Sequence, residues 1–145
     1  MQKNTFNELG VNSNIVRALS EFGITEPTDI QEKAIPIINS GKDIIGKSKT
    51  GSGKTAAFGI PLINKVVPKK GVQALILAPT RELAVQISRE LGKFGKYSKL
   101  GIATVYGGVS LRPQIKDIAR SEIVVSTPGR LLDHLQQRNI DLSKL

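Results

Sequence analysis

Four short apolar runs, each followed by a stretch of helical periodicity, limit this chain to a narrow set of folds. The runs are Asp43–Gly46, Val72–Ala78, Ile102–Tyr106 and Ile123–Ser126; the stretches behind them are Ala56–Ile63, Glu82–Phe94, Leu111–Ala119 and Arg130–Gln137. Strands that alternate with helices assemble into a parallel sheet with helices on both faces and right-handed crossovers. Val72–Ala78 and Ile123–Val125 are nearly continuous in apolar residues, as strands buried on both faces require. The predicted fold class is therefore α/β. Two helices precede the first strand. Asn12 or Ser13 caps one that carries Ile15, Val16, Leu19 and Phe22 and stops at Gly23. Thr28 opens the other with capping-box spacing to Gln31, and it runs to Gly41 with a bend at Pro36.

Between the first expected strand and its helix stands Ser48-Lys49-Thr50-Gly51-Ser52-Gly53-Lys54-Thr55. In that setting the successive backbone N–H groups of Gly51, Ser52, Gly53 and Lys54 converge on an anion at a helix N-terminus, where the partial positive charge also favours it. Lys54 is placed to reach the β- and γ-phosphates and Thr55 to ligate Mg²⁺. Ser48 stands where the general pattern has glycine, but the two glycines beside the phosphates are kept.

Composition narrows the partners. Twenty-one Lys and Arg against twelve Asp and Glu give a formal charge of +9, which favours polyanions, with nucleic acid the leading class and simple solubility the alternative. The absence of cysteine excludes disulfides and thiolate metal sites. No apolar run has the length of a membrane span, and Met1–Thr5 lacks the apolar core of a secretory signal, so a cytoplasmic protein without membrane contact is expected. With 145 residues, 39% of them hydrophobic, one core is expected. His134, the single histidine, has no second ligand near it and is assigned a solvent-facing or packing role.

Polar residues cluster just beyond the expected strands, where open α/β sheets bind ligands. Pro79-Thr80-Arg81-Glu82-Leu83 follows one strand, Gly107-Gly108 the next and Thr127-Pro128-Gly129-Arg130 the last, all on the rim that carries Thr50–Thr55. Thr80 and Thr127 serve either as helix caps or as hydroxyl ligands for an anion, and Gly107-Gly108 either as a turn or as a phosphate contact.

In this order the motifs resemble the DEAD-box RNA helicases of superfamily 2, over essentially the whole chain. Gly23–Gln31 is similar to the family's Q motif, with Phe6 seventeen positions before Gly23 as its upstream aromatic. Thr50–Thr55 resembles motif I, Pro79–Leu83 motif Ia, Gly107-Gly108 the double glycine and Thr127–Arg130 motif Ib. The resemblance implies the first RecA-like P-loop domain (42–145) behind a Q-motif helical region (1–41), with ATP and Mg²⁺ as cofactors. It assigns Phe6, Ile24, Thr25, Gln31 and Thr50–Thr55 to the nucleotide, with Lys54 and Thr55 catalytic and Thr55 on the metal. Gln31 would select adenine through its amide; Ile24 stands where an aromatic is common and offers apolar contact only. Pro79, Thr80, Arg81, Glu82, Gly107, Gly108, Thr127, Pro128, Gly129 and Arg130 would hold the backbone of single-stranded RNA without regard to base sequence.

The resemblance also sets expectations about what lies outside the chain. The family's Asp-Glu-Ala-Asp motif is expected a few residues after Leu145, followed by a second RecA-like domain that supplies arginine fingers. The chain is thus expected to be the first part of a helicase core, incomplete at its C-terminus, that by itself binds adenine nucleotide weakly without turning it over. The alternative function is a nucleotide- or RNA-binding module that never hydrolyses ATP. A DNA-directed helicase of the same superfamily is a third reading, opposed by Gln31 and by Pro79–Leu83.

Overall fold

The computed structural model describes residues 3–145, and the chain divides into two compact units. One comprises Met1–Lys65 with Lys93–Ser98, the other Val66–Gly92 with Lys99–Leu145. This division by compactness is a different one from the division by motifs at residue 41.

The first unit holds three helices, α1 (Ser13–Glu21), α2 (Asp29–Asn39) and α3 (Lys54–Lys65). The side chain of Asn12 accepts from the Ile15 N–H and so caps α1. At its other end the Gly23 N–H reaches Ser20 O at 3.0 Å and the Ile24 N–H reaches Leu19 O at 2.9 Å, the paired bonds of a Schellman stop. Only glycine takes the left-handed conformation of Gly23, φ +76°, without strain. The Thr28 N–H donates to Gln31 Oε1 at 3.0 Å, the backward arm of the expected capping box. α2 runs unbroken through Pro36 and packs against α3. Phe6, Ile15, Leu19, Ile35, Ile60 and Ile63 are buried in this unit. The returning segment 93–98 is tied to α1: Glu21 accepts from Lys96 Nζ at 2.8 Å and from the Tyr97 hydroxyl, and Arg17 lies 4.3 Å over the Tyr97 ring.

The strand expected over Asp43–Gly46 does not form. Residues 42–49 are irregular and Ile45 is 99% exposed. A strand exists only through the hydrogen bonds of a neighbour, and among the described residues none pairs with this segment.

The second unit carries β1 (Ala74–Leu77), β2 (Ile102–Val105) and β3 (Ile123–Ser126), with α4 (Arg81–Phe94) up to Gly92, α5 (Leu111–Ala119) and α6 (Pro128–Gln136). The strands are parallel in the order β1-β3-β2, so β3 is central; Ile123 pairs with Ala74 on one side and Ile102 on the other. Ile123, Val124, Val125 and Ser126 are all fully buried, which explains the continuous apolar run in the sequence. Val72, Ala103, Val105, Ile118, Val124, Leu131 and Ile140 form one core cluster. Glu122 is also buried, and its carboxylate accepts from the Lys69 N–H at 2.8 Å and the Gly101 N–H at 2.7 Å. That pins both strand approaches. A Cβ on Gly101 would collide with the Arg120 carbonyl, so glycine is required at this crossing.

Candidate nucleotide and nucleic-acid sites

In the first unit the segment Thr50–Gly53 forms an irregular loop that opens into α3 at Lys54. Gly51 and Gly53 adopt φ of +80° and +87°, the left-handed region that turns successive N–H groups to one side. Lys54 Nζ donates to Ser48 O at 2.8 Å, and the Ser48 and Ser52 hydroxyls share a hydrogen bond of 2.5 Å. The ammonium therefore closes back over the loop it belongs to, in reach of any anion placed there. Thr55, the second residue of α3, makes no side-chain hydrogen bond among the described residues, which leaves its hydroxyl available to a metal.

Gln31 joins α2 to this loop. Its Nε2 donates to Gly53 O at 3.2 Å while its Oε1 accepts from the Thr28 N–H, and the side chain is 3% exposed. The packing is tight: a Cβ on Gly53 would collide with Gln31 Nε2 and lie 3.2 Å from Thr28 Oγ1. A glutamine amide offers two N–H groups and two acceptor lone pairs. One of each is used, and one of each remains.

Of the other expected nucleotide residues, only Thr25 lines a polar cleft. Lys3, Asn4, Thr5, Thr25 and Glu26 line a space of about 370 Å³. Thr25 is exposed and Ile24 half-buried. Phe6 follows Thr5 but is only 2% exposed, so its ring supports the unit from within. A second hollow of about 230 Å³, lined by Ile30, Ala34, Ile38, Ile44, Gly46, Ala57 and Phe58, is apolar except for Lys54 and has no donor set for a base.

In the second unit three loops meet after the strands. Thr80 Oγ1 accepts from the Leu83 N–H at 3.2 Å, so Thr80 is a true cap of α4, with Pro79 before it and Glu82 in the first turn. Arg81 lies with its guanidinium 4.4 Å from the centre of the Tyr106 ring. Gly107 follows directly, then Gly108 at φ +82°. Thr127 precedes α6 in an extended conformation with Pro128 at the first helical position and exposed Gly129 after it, yet its hydroxyl makes no cap bond. The two threonines, equivalent by sequence, are thus different in structure.

Arg130 is more enclosed than a surface ligand. Its Nη1 donates to Val109 O at 2.9 Å and to Gln114 Oε1 at 3.2 Å; its Nε lies 3.5 Å from Asp133 Oδ2 without hydrogen-bond geometry. Its Nη2 makes no hydrogen bond among the described residues and lies 3.9 Å from where a Gly107 Cβ would be.

His134 is fully buried, in the packing role rather than facing solvent. Its Nε2 is 3.0 Å from Gln114 Oε1 and its Nδ1 is 3.2 Å from Asn139 Nδ2. Burial first, and the Arg130 charge second, push its pKa below the ordinary 6.5, against a smaller opposite effect of Asp133. Gln114 carries no expectation from the sequence. Its signal was its place on α5, one turn before buried Ile118, a polar residue on the inward face.

Known proteins are similar to this chain in sequence and fold. The family model described as DEAD/DEAH box helicase matches residues 28–145. The DEAD-box ATP-dependent RNA helicase RhpA of Helicobacter pylori (strain B128) is 45% identical over 139 residues, 95% of this chain and 28% of that protein. The crystal structure of a DEAD box protein from the hyperthermophile Methanococcus jannaschii superposes with a TM-score of 0.93 at 43% identity, over 99% of this chain and 40% of that one. A hypothetical ATP-dependent RNA helicase from Sulfolobus tokodaii gives 0.83 at 40% identity, over 92% and 39%. The chain therefore spans well under half the length of these relatives. On the family match across residues 28–145, this chain belongs to the DEAD/DEAH box helicases.

Proposed function

We propose that the chain supplies the ATP-binding elements and part of the RNA-binding surface of an ATP-dependent RNA helicase, whose full-length form couples ATP hydrolysis to the separation of short RNA duplexes. The observation that carries this reading is the contact of Gln31 with Gly53. The residue that would read the base is bonded to the loop that would hold the phosphates. Its remaining N–H and lone pair complement the N7 acceptor and N6 donor of adenine, a bidentate pairing that guanine, with O6 in place of the amino group, cannot match.

Lys54 and the N–H groups of Gly51–Lys54 would neutralise and orient the triphosphate. Mg²⁺ would be held by the Thr55 hydroxyl and by substrate phosphates. When bound, the ion supplies charge neutralisation at the phosphates. In the second unit the Thr127 hydroxyl, the Gly107-Gly108 turn and the cations Arg81 and Arg130 present a surface for phosphate oxygens with few groups suited to base edges. That supports RNA binding through the backbone, independent of sequence and sensitive to salt.

Displacement of a fluorescent ADP analogue from the chain tests the nucleotide half. ATP is expected to displace it at concentrations lower than GTP by about tenfold or more. Equal displacement by the two would refute the role assigned to Gln31.

A further inference from the structure

The two carbonyls that flank Gly107-Gly108 are both tied down. Tyr106 O accepts from Gln114 Nε2 at 2.9 Å, and Val109 O accepts from Arg130 Nη1 at 2.9 Å. The same Arg130 Nη1 donates to Gln114 Oε1. One amide, 96% buried by its 4% exposure, therefore bridges the start of the turn to the arginine that holds its end. Its orientation is determined, because a reversed amide would set N–H against the Arg130 N–H and oxygen against the Tyr106 carbonyl. His134 completes the lock. Gln114 Oε1 can only accept and Asn139 Nδ2 can only donate, so His134 is the neutral tautomer with its proton on Nε2, and Gln114 Oε1 receives two donors. Within this frame the N–H groups of Gly107 and Gly108 donate to no acceptor among the described residues.

We propose that Gln114 is the positioning residue of the RNA surface, holding the Tyr106–Val109 turn and the Arg130 guanidinium in one arrangement so that the turn's N–H groups and Arg130 Nη2 meet a phosphate together. Gln114 itself touches no RNA. It acts through Arg130 and the turn, and the inference rests on the RNA reading above.

A double-mutant cycle in the full-length protein, with single-stranded poly-U as the probe, tests it. Gln114→Met keeps the volume and removes all three amide hydrogen bonds; it should weaken RNA binding by about tenfold in the wild-type background and by about threefold beside Arg130→Ala, where only the hold on the turn is left to lose. The slope of log affinity against log salt should fall by roughly 0.7 in Gln114→Met, one single-strand phosphate contact. Equal losses of Gln114→Met in both backgrounds, or no loss in either, would overturn the inference, since a residue that only stabilises the fold acts regardless of Arg130. If Gln114→Met fails to fold, Gln114→Glu tests the hold on the turn alone, because it keeps the acceptor for Arg130 and His134 and repels only the Tyr106 carbonyl: it should weaken RNA binding by about threefold in both backgrounds, and unchanged binding would overturn the inference. If the wild type binds no RNA, the RNA reading falls by itself. The amide resonances of Gly107, Gly108 and Val109 then decide about Gln114: displacement by Gln114→Met upholds its hold on the turn, and unmoved resonances overturn it.

Discussion

Gln31→Ala should damage the fold and the nucleotide site together, because one side chain serves both. Truncation removes the bond to Gly53 O and the bond from the Thr28 N–H. Each is worth about 1 kcal/mol net. The lost methylene of a side chain only 3% exposed adds about 0.8 kcal/mol. The sum is about 2 to 3 kcal/mol, and with a urea m-value of about 2 kcal/mol/M it moves the midpoint down by about 1 M. Far-UV circular dichroism in urea reads that shift directly, and the same sample in the displacement assay reads ATP against GTP. Gln31→Glu is the internal control: its carboxylate still accepts from Thr28 but faces the Gly53 carbonyl without a donor, so it should lose loop support and keep the helix cap. A midpoint that stays within about 0.2 M of wild type in Gln31→Ala would refute the bridge from α2 to the loop. A lowered midpoint with ATP preference intact would leave Gln31 a brace and remove it from base recognition.

The paired threonines give a second test. Thr80→Val should cost about 1 kcal/mol of stability through the lost cap, whereas Thr127→Val should cost little, since its hydroxyl caps nothing, while weakening RNA binding. Chemical denaturation of both variants measures the first effect, and poly-U titration in the full-length protein measures the second. His134 gives a pH signature. Its folded pKa is depressed below 6.5, so the unfolded chain binds the proton more readily, and the histidine's stabilisation is present in full above 6.5 and is lost as pH falls through the folded value. Urea midpoints between about pH 7 and pH 5 should therefore drop less steeply in His134→Phe than in wild type; parallel profiles would show that His134 does not titrate differently in the folded state.

Much of this molecule is legible in its sequence where the determinant is local. Asn12, Gly23, Thr28 and Gln31 terminate helices through groups a few residues away, and the structure places each cap where the residue type requires it. The alternation behind β1, β2 and β3 is equally local, and those elements differ from expectation only at their ends. Asp43–Gly46 fails for the opposite reason. Ile44 and Ile45 record a preference for burial, but pairing depends on a neighbour that the segment itself does not encode. The same limit applies to the sites. Arg130 and Thr127 were identifiable by type and position, yet whether a guanidinium is spent on Val109 and Gln114 depends on where α5 lies. Gln114 and Glu122 are polar residues in buried places, which a reading by apolar periodicity assigns to the surface, and for His134 that reading leaves solvent and packing both open. Their partners are backbone groups and amides brought together only by the fold.

The central claim is that a single adenine-selective phosphate site drives work on RNA. Phosphate release by the full-length protein, measured with ATP or GTP, with and without poly-U, and in wild type and Lys54→Ala, tests it most directly. The account predicts ATP turnover raised by RNA about tenfold or more, little turnover of GTP, and loss of the stimulated rate in Lys54→Ala by about a hundredfold. Turnover that ignores RNA, treats ATP and GTP alike, or survives the loss of Lys54 would contradict it.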